Sequence, residues 1–298
     1  MSRQNEGLLL YNKPPGLTSF ESLSVIKKTF NTGKVGHTGT LDKFASGLLL
    51  VLIGRAVKLT PLLIKVSKEY FGSIQFGIQT DTLDPEGKII DTAEIPAREN
   101  VEKAIESFKG KIEQAPPLYS AIHINGKRAH ELAREGKEPE MKKRAVTVYN
   151  LELISWNPPA AEIYAKVSSG TYIRSLARDI GIAAGSRAHL KSLVRTKVGL
   201  FSLEDIQNDN TWQLHPVNKK LFDSLSLPVF FIEDRKKFLQ GKPLETILQK
   251  EDLSLSPDTP GNKLEAAGVF NKDDTEDFLG YIVKNNGKWA YGRVYADS

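Results

Sequence analysis

Three observations predict an α+β fold with a second, smaller β unit. Strand-like and helix-like segments follow one another without the steady alternation of a doubly wound parallel sheet. Residues 47–54, GLLLVLIG, are apolar on both faces of any strand they form, which suits a central strand covered on both sides. Composition shifts over 208–228, around NDNTWQLHPVNKK, which places a boundary there. The chain has 298 residues, enough for one large domain or two smaller ones.

The elements follow in order. GLLLYN, 7–12, reads as a short buried strand, and Lys13-Pro14-Pro15-Gly16 turns the chain because proline fixes φ and glycine frees it. Thr18-Ser19 caps a helix over 20–30 that carries Phe20, Leu23 and Ile26 at helical spacing. A second helix is expected over 55–65 and a strand over 68–78, KEYFGSIQFGI. Asp84-Pro85-Glu86-Gly87 is a turn, with KIID returning as a hairpin partner. A helix over 100–109 shows Val101, Ala104, Ile105 and Phe108 on one face behind an Asn100 cap. The stretch 125–144 holds seven Lys or Arg against four Glu and reads as a helix-forming, solvent-exposed insertion. Strands are expected at 145–155 and 161–168, then a helix over 172–184 closed by Gly185. In the tail, YIVKNNGKWAYGRVY alternates on either side of Asn286-Gly287, a dipeptide that favours a tight hairpin.

Composition excludes several classes of function. Absence of Cys removes disulfides and thiolate metal sites. No run approaches the roughly 18 apolar residues of a membrane helix, and the N-terminal LLLYNK is too short for a signal-peptide core, so a cytoplasmic protein is expected. His37, His123, His130, His189 and His215 show no metal-ligand spacing. Lys plus Arg number 41 against 36 Asp plus Glu, a modest excess compatible with a polyanionic partner. Basic clusters at Lys27-Lys28, Lys127-Arg128, Lys142-Lys143-Arg144, Arg187/Lys191/Arg195/Lys197, expected on one helix face over 187–197, and Arg235-Lys236-Lys237 are solvated faces or parts of a phosphate-binding track, depending on how the fold aligns them.

The stretch 33–50, GKVGHTGTLDKFASGLLL, sets one acid, Asp42, between a glycine-rich loop and the apolar strand. The glycines fit neither a P-loop nor a dinucleotide fingerprint. An Asp in such a loop ordinarily caps a turn. As a nucleophile or base it needs a cation close by to stay charged in a partly dry site. Arg174, in SSGTYIRSLARD at 168–179, falls in the first turns of the predicted helix, where a bidentate pair would orient the acid and lower its pKa; the alternative is a surface Arg beside Arg178. Tyr70 sits next to glycine in a strand, as a base-stacking aromatic or a half-buried strand tyrosine.

These residues resemble the TruB family of tRNA pseudouridine synthases. GHTGTLDKFASGLLL is similar to its catalytic-Asp motif, LLLYNKPPGLTSF to its opening strand and Lys-Pro motif, and KEYFGSIQFGIQTDTLDPEGKI to its Tyr motif and hairpin. PPLYSAIHINGKRAHELAREG resembles its RNA-contacting insertion, and SSGTYIRSLARDIG followed by AHLKSLVRTKVGLF its Arg motif and Leu-bearing segment. The blocks keep the family's order over about 7–205. One departure stands out: Pro-Leu-Ala-[ST]-Gly usually follows the Asp, and here the sequence is Lys43-Phe44-Ala45-Ser46-Gly47.

The resemblance implies a pseudouridine synthase fold, with a central mixed sheet flanked by helices. It assigns residues 1–225 to a catalytic domain and 226–298 to a small PUA-like RNA-binding domain. It implies isomerisation of uridine 55 in the tRNA T loop to pseudouridine, by base flipping and without metal or organic cofactor, in a monomer. Asp42 attacks the nucleotide or moves a proton, Arg174 holds it ionised, and Tyr70 stacks on the base and assists proton removal from C5, which makes these three the implied catalytic residues. By the same resemblance His37, Tyr172 and Leu193 line the pocket, and Lys58, Lys127 and Arg128 contact RNA. A non-catalytic RNA-binding protein shares the basic clusters and differs in yielding no isomerised base.

Overall fold

The computed structural model describes residues 6–120, 122–124, 126–128, 132, 141–206, 212–249, 266–285 and 287–295. In chain order its strands are β1 (Gly7–Lys13), β2 (Val35–His37), β3 (Ser46–Ile53), β4 (Lys68–Phe76), β5 (Ile78–Thr80), β6 (Ile89–Thr92), β7 (Gly110–Gln114), β8 (His123–Ile124), β9 (Lys127–Arg128), β10 (Arg144–Asn157), β11 (Ala160–Val167), β12 (Ala188–Val198), β13 (Phe201–Ser202), β14 (Leu214–His215), β15 (Val229–Ile232), β16 (Ala266–Asn271), β17 (Phe278–Asn285) and β18 (Lys288–Val294). The α-helices are α1 (Ser19–Thr29), α2 (Thr60–Leu63), α3 (Arg98–Ser107), α4 (Ile173–Ala183), α5 (Lys219–Ser224) and α6 (Arg235–Leu239).

A large mixed sheet runs β14-β1-β3-β12-β4-β11-β10-β7, with β2 on β3 and β13 on β12. Its one parallel pairing among the described residues joins β3 to β12, Val194 opposite Ser46 and Arg195 opposite Gly47. Gly47 has φ +104, and a Cβ there would stand 2.4 Å from the Arg195 carbonyl, so glycine is required where these strands meet. The two-faced burial expected for 47–54 is observed. Leu48, Leu50 and Leu52 pack toward Phe222, Phe270 and Phe278. Leu49, Val51 and Ile53 pack toward Leu23 and Ile26 of α1. Farther along the sheet, α3 and α4 cover Ile74, Phe76, Leu151, Ile163 and Leu190.

A separate four-stranded sheet, β15-β16-β17-β18, forms the C-terminal part. It seats against the large sheet through the Phe222 cluster, and Gly268 leaves space for the Phe222 ring, which a Cβ would meet at 2.9 Å. The β17–β18 hairpin pairs Asn285 with Lys288 as expected; Asn286 lies outside the described residues.

Several local expectations are corrected. Pro61 lacks an N–H, so the helix expected over 55–65 divides into a 3₁₀ turn, Gly54–Leu59, and the short α2. α3 starts at Arg98 after Ala97, with no side-chain cap, and Asn100 lies inside its first turn. KIID pairs with β5 as a small separate ribbon rather than with the long strand β4. The basic residues 187–197 lie mainly on strand β12 and not on a helix. Alternate burial sets Leu193 and Arg195 inside, and the irregular register between Arg195 and Lys197 turns Lys197 out, so Lys197 is exposed while Arg195 is 2% exposed. Most of the 125–144 insertion lies outside the described residues; within it β9 pairs with β8.

Gly47→Ala is expected to lose about 2–4 kcal/mol in urea unfolding, because both the backbone conformation and the strand contact are violated. Lys68 is buried, its Nζ donating to the Ile64 and Val66 carbonyls at 2.7 Å each. Burial, then the Arg195 charge, lowers its pKa to about 8. Between that value and the ordinary lysine range the unfolded chain binds more protons. Stability relative to Lys68→Met should therefore rise from pH 8 to 10 and stay level below it, as read by unfolding at each pH.

Candidate active site

Asp42 reaches the surface because the residues on either side of it do not. Leu41 and Ala45 are buried in the core cluster beneath α3 and α4, and the loop between them arches outward. Backbone and side-chain bonds fix the arch. Ser19 Oγ, at the start of α1, donates to the Leu41 carbonyl at 3.0 Å and accepts from the Leu41 N–H at 2.9 Å. Gly16 N–H donates to the Lys43 carbonyl at 2.8 Å, and Ala45 N–H to that of Asp42 at 3.2 Å. The loop is thus pinned without the proline that usually follows the Asp.

Arg174 meets Asp42 from 132 positions away in sequence. It is the second residue of α4, and the start of that helix is clasped from β7: Gln114 accepts from the Tyr172 N–H at 2.8 Å and donates to its carbonyl at 3.1 Å. Ser175 Oγ donates to the Ala115 carbonyl at 2.8 Å. The Arg174 guanidinium donates from Nη2 to Asp42 Oδ1 at 3.0 Å and to the Tyr119 carbonyl at 3.1 Å. Its Nη1 donates to the Thr82 carbonyl at 2.7 Å and Asp84 Oδ2 at 3.1 Å. Nε stands 2.9 Å from Asp42 Oδ2 as an ion contact without hydrogen-bond alignment. The Arg174 side chain is 6% exposed and that of Asp42 36%, so a buried cation holds a carboxylate that opens to solvent.

The sharing of Arg174 between two acids changes the expected electrostatics. Burial lifts the Asp42 carboxyl above the ordinary aspartate value; Arg174 opposes this, and Asp84 adds to it. The net shift is upward, against the lowering expected from a dedicated Arg–Asp pair. Asp84 read in the sequence as a turn residue. It is that, accepting from the Glu86 N–H at 3.1 Å and the Thr82 hydroxyl at 2.6 Å, and its other oxygen holds Arg174.

Two further buried cations support the loop. Lys13 is fully buried, its Nζ donating to the Pro14 and Leu17 carbonyls at 2.9 and 2.7 Å. Burial lowers its pKa, and the Asp42 charge opposes that. Arg195 donates to the Leu48 carbonyl at 2.7 Å and the Gly39 carbonyl at 3.1 Å, with no carboxylate partner among the described residues. Neither role was readable from spacing, since each cation binds backbone carbonyls brought to it by the fold.

The other candidate residues are placed as follows. Tyr70 on β4 is 8% exposed, opposite Arg195 and Ala165, in the cluster that holds Leu41, Ala45 and Leu193. Leu193 lies across from Gly72, where a Cβ would meet its Cδ1 at 3.3 Å. His37 ends β2, and its Nδ1 accepts from the Gly39 N–H at 3.3 Å. Burial and then Arg195 lower its pKa, favouring a neutral ring. Tyr172 precedes Arg174, and burial raises its pKa. Lys58 is remote from this group: its Nζ donates to the Val294 carbonyl at 3.1 Å and lies 5.4 Å from the Tyr295 ring centroid, tying the two sheets together. Lys127 and Arg128 form β9; their side chains lie outside the described residues.

The structure superposes on an H/ACA RNP bound to a substrate RNA containing 2′-deoxyuridine with a TM-score of 0.63 and 21% identity, over 95% of this chain and 79% of that one. Residues 27–173 match the TruB family pseudouridylate synthase N-terminal domain. A tRNA pseudouridine synthase B of Borreliella burgdorferi is 48% identical over 202 residues, 67% of this chain and 72% of that protein. One from Francisella philomiragia is 42% identical over 287 residues, 95% of this chain and 92% of the relative. The chain belongs to the TruB family of pseudouridylate synthases.

Removing the like charge in Asp84→Asn should lower the Asp42 pKa, and removing the cation in Arg174→Met should raise it. Carboxyl ¹³C NMR titration of Asp42 checks both directions.

Proposed function

We propose that this chain isomerises uridine 55 in the T loop of tRNA to pseudouridine, with Asp42 as the group that acts on the nucleotide. The observation that carries the reading is the Asp42 carboxylate, held by a buried guanidinium and still about one-third exposed. Such an oxygen is oriented and reachable by a base swung out of its stack, an extrusion that costs a few kcal/mol. One oxygen of Asp42 bonds to the nucleotide at sugar or base, the N1–C1′ bond breaks, the base turns, C5 joins C1′, and the bond to Asp42 is released with its electron pair to restore the carboxylate. The proton lost from C5 is balanced by one gained at N1, so the change is atom- and electron-neutral.

The surrounding residues take supporting parts. Arg174 holds the carboxylate anionic and fixes its direction. Tyr70 and Leu193 give the base an apolar wall, and a neutral His37 and Tyr172 border it. Division near residue 225 makes the four-stranded sheet the second, PUA-like RNA-binding unit. The protein works as a cytoplasmic monomer on the T stem-loop, with Lys127 and Arg128 reaching the RNA.

Asp42→Asn is expected to abolish tritium release from a T-arm transcript carrying 5-³H-uridine while binding stays within about tenfold, ~1.4 kcal/mol. Turnover at the wild-type level in that variant would remove Asp42 from the chemistry. Because Asp42 must be ionised and its pKa lies above the ordinary aspartate value, the single-turnover rate should fall as pH drops through that raised value. Asp84→Asn should move this acid limb to lower pH.

A further inference from the structure

We propose that Lys43 is a phosphate contact for the RNA, exchanging Glu86 for a phosphodiester oxygen beside the nucleotide held at Asp42. The inference rests on the RNA-modifying reading above and adds a residue to it. Lys43 follows Asp42 directly, and its side chain is 52% exposed. Its Nζ stands 3.9 Å from Glu86 Oε1, on a side chain 49% exposed, so this ion contact spans the Asp42 loop and the Asp84 turn. Between half-exposed groups at that distance the attraction is weak and screened, little enough to be exchanged on binding.

Charge around Asp42 supplies the reason. Asp42 and Asp84 share one guanidinium, and Glu86 stands on the facing turn. On the other side Glu21 of α1 feels the Lys43 charge, after its own bonds to Thr18. A polyanion approaching this acidic rim needs a cation there. Arg174 and Arg195 are buried and committed to carboxylates or carbonyls, and Lys13 is buried on two carbonyls. Among these cations only Lys43 presents its ammonium to solvent. An ammonium on a flexible stem suits a phosphate oxygen, which makes no bidentate demand. The loop backbone is held through the Lys43 carbonyl, so its side chain is free to change partner.

The test is filter binding of a T-arm transcript across a KCl series, with single-turnover tritium release at saturating RNA. Lys43→Gln should raise Kd three- to tenfold, flatten the slope of log affinity against log salt by about one, and keep the saturating rate within twofold. Lys43→Arg should restore the slope, and Glu86→Gln should leave Kd within twofold or tighten it. An unchanged slope in Lys43→Gln overturns the proposal. So does a Glu86→Gln weakening equal to that of Lys43→Gln, because the pair would then be a brace between loops. Wild-type protein that releases no tritium overturns the modification reading instead, and the binding series still decides Lys43.

Discussion

The site depends on how one buried guanidinium is shared. An arginine that is almost wholly dehydrated needs its donors satisfied, and Arg174 spends them on two carboxylates and two carbonyls from three separate segments. The arrangement draws the Asp42 loop, the Asp84 turn and the segment before β8 onto the start of α4. It also leaves Asp42 with a fraction of a cation. Burial and the second acid then prevail, and the carboxyl is harder to ionise than a dedicated pair would make it. A less stabilised carboxylate is a better nucleophile or base, so the sharing fits a reactive group better than a structural one.

The scaffold confines motion around this point. Ser19 grips both backbone groups of Leu41, Gln114 grips both of Tyr172, and Arg195 carries the Gly39 carbonyl from below. Each grip comes from a regular element or its first residue, so the loop inherits the rigidity of the sheet and helices. Farther off, the four-stranded sheet is joined to the large one by an aromatic cluster and by the Lys58 bond to β18. Lys58 stays exposed while making that bond.

Much of this was legible in the chain. The apolar run of β3, the Thr18 cap of α1, the closure of α4 near Gly185 and the β17–β18 hairpin all follow from local periodicity and turn chemistry. Asp42, Arg174 and Tyr70 stood out through motif context. The local errors have local causes, such as Pro61 interrupting a helix. The basic run 187–197 misled because charge spacing alone does not distinguish a helical face from an alternating strand, and a central strand buries one of its arginines.

By itself the sequence determined strands such as β3, helices such as α1 and α4, where an acid follows a flexible loop, and that a guanidinium opens a later helix, because these are short-range matters of sterics, capping and hydrophobic period. Only the tertiary structure decided that Asp84 claims part of Arg174, that Lys13 and Arg195 are buried on carbonyls, and that Lys43 meets Glu86 between the Asp42 loop and the Asp84 turn. Those contacts join segments brought together by the parallel meeting of β3 with β12 and the antiparallel run through β4, and no local pattern encodes a distance across a sheet.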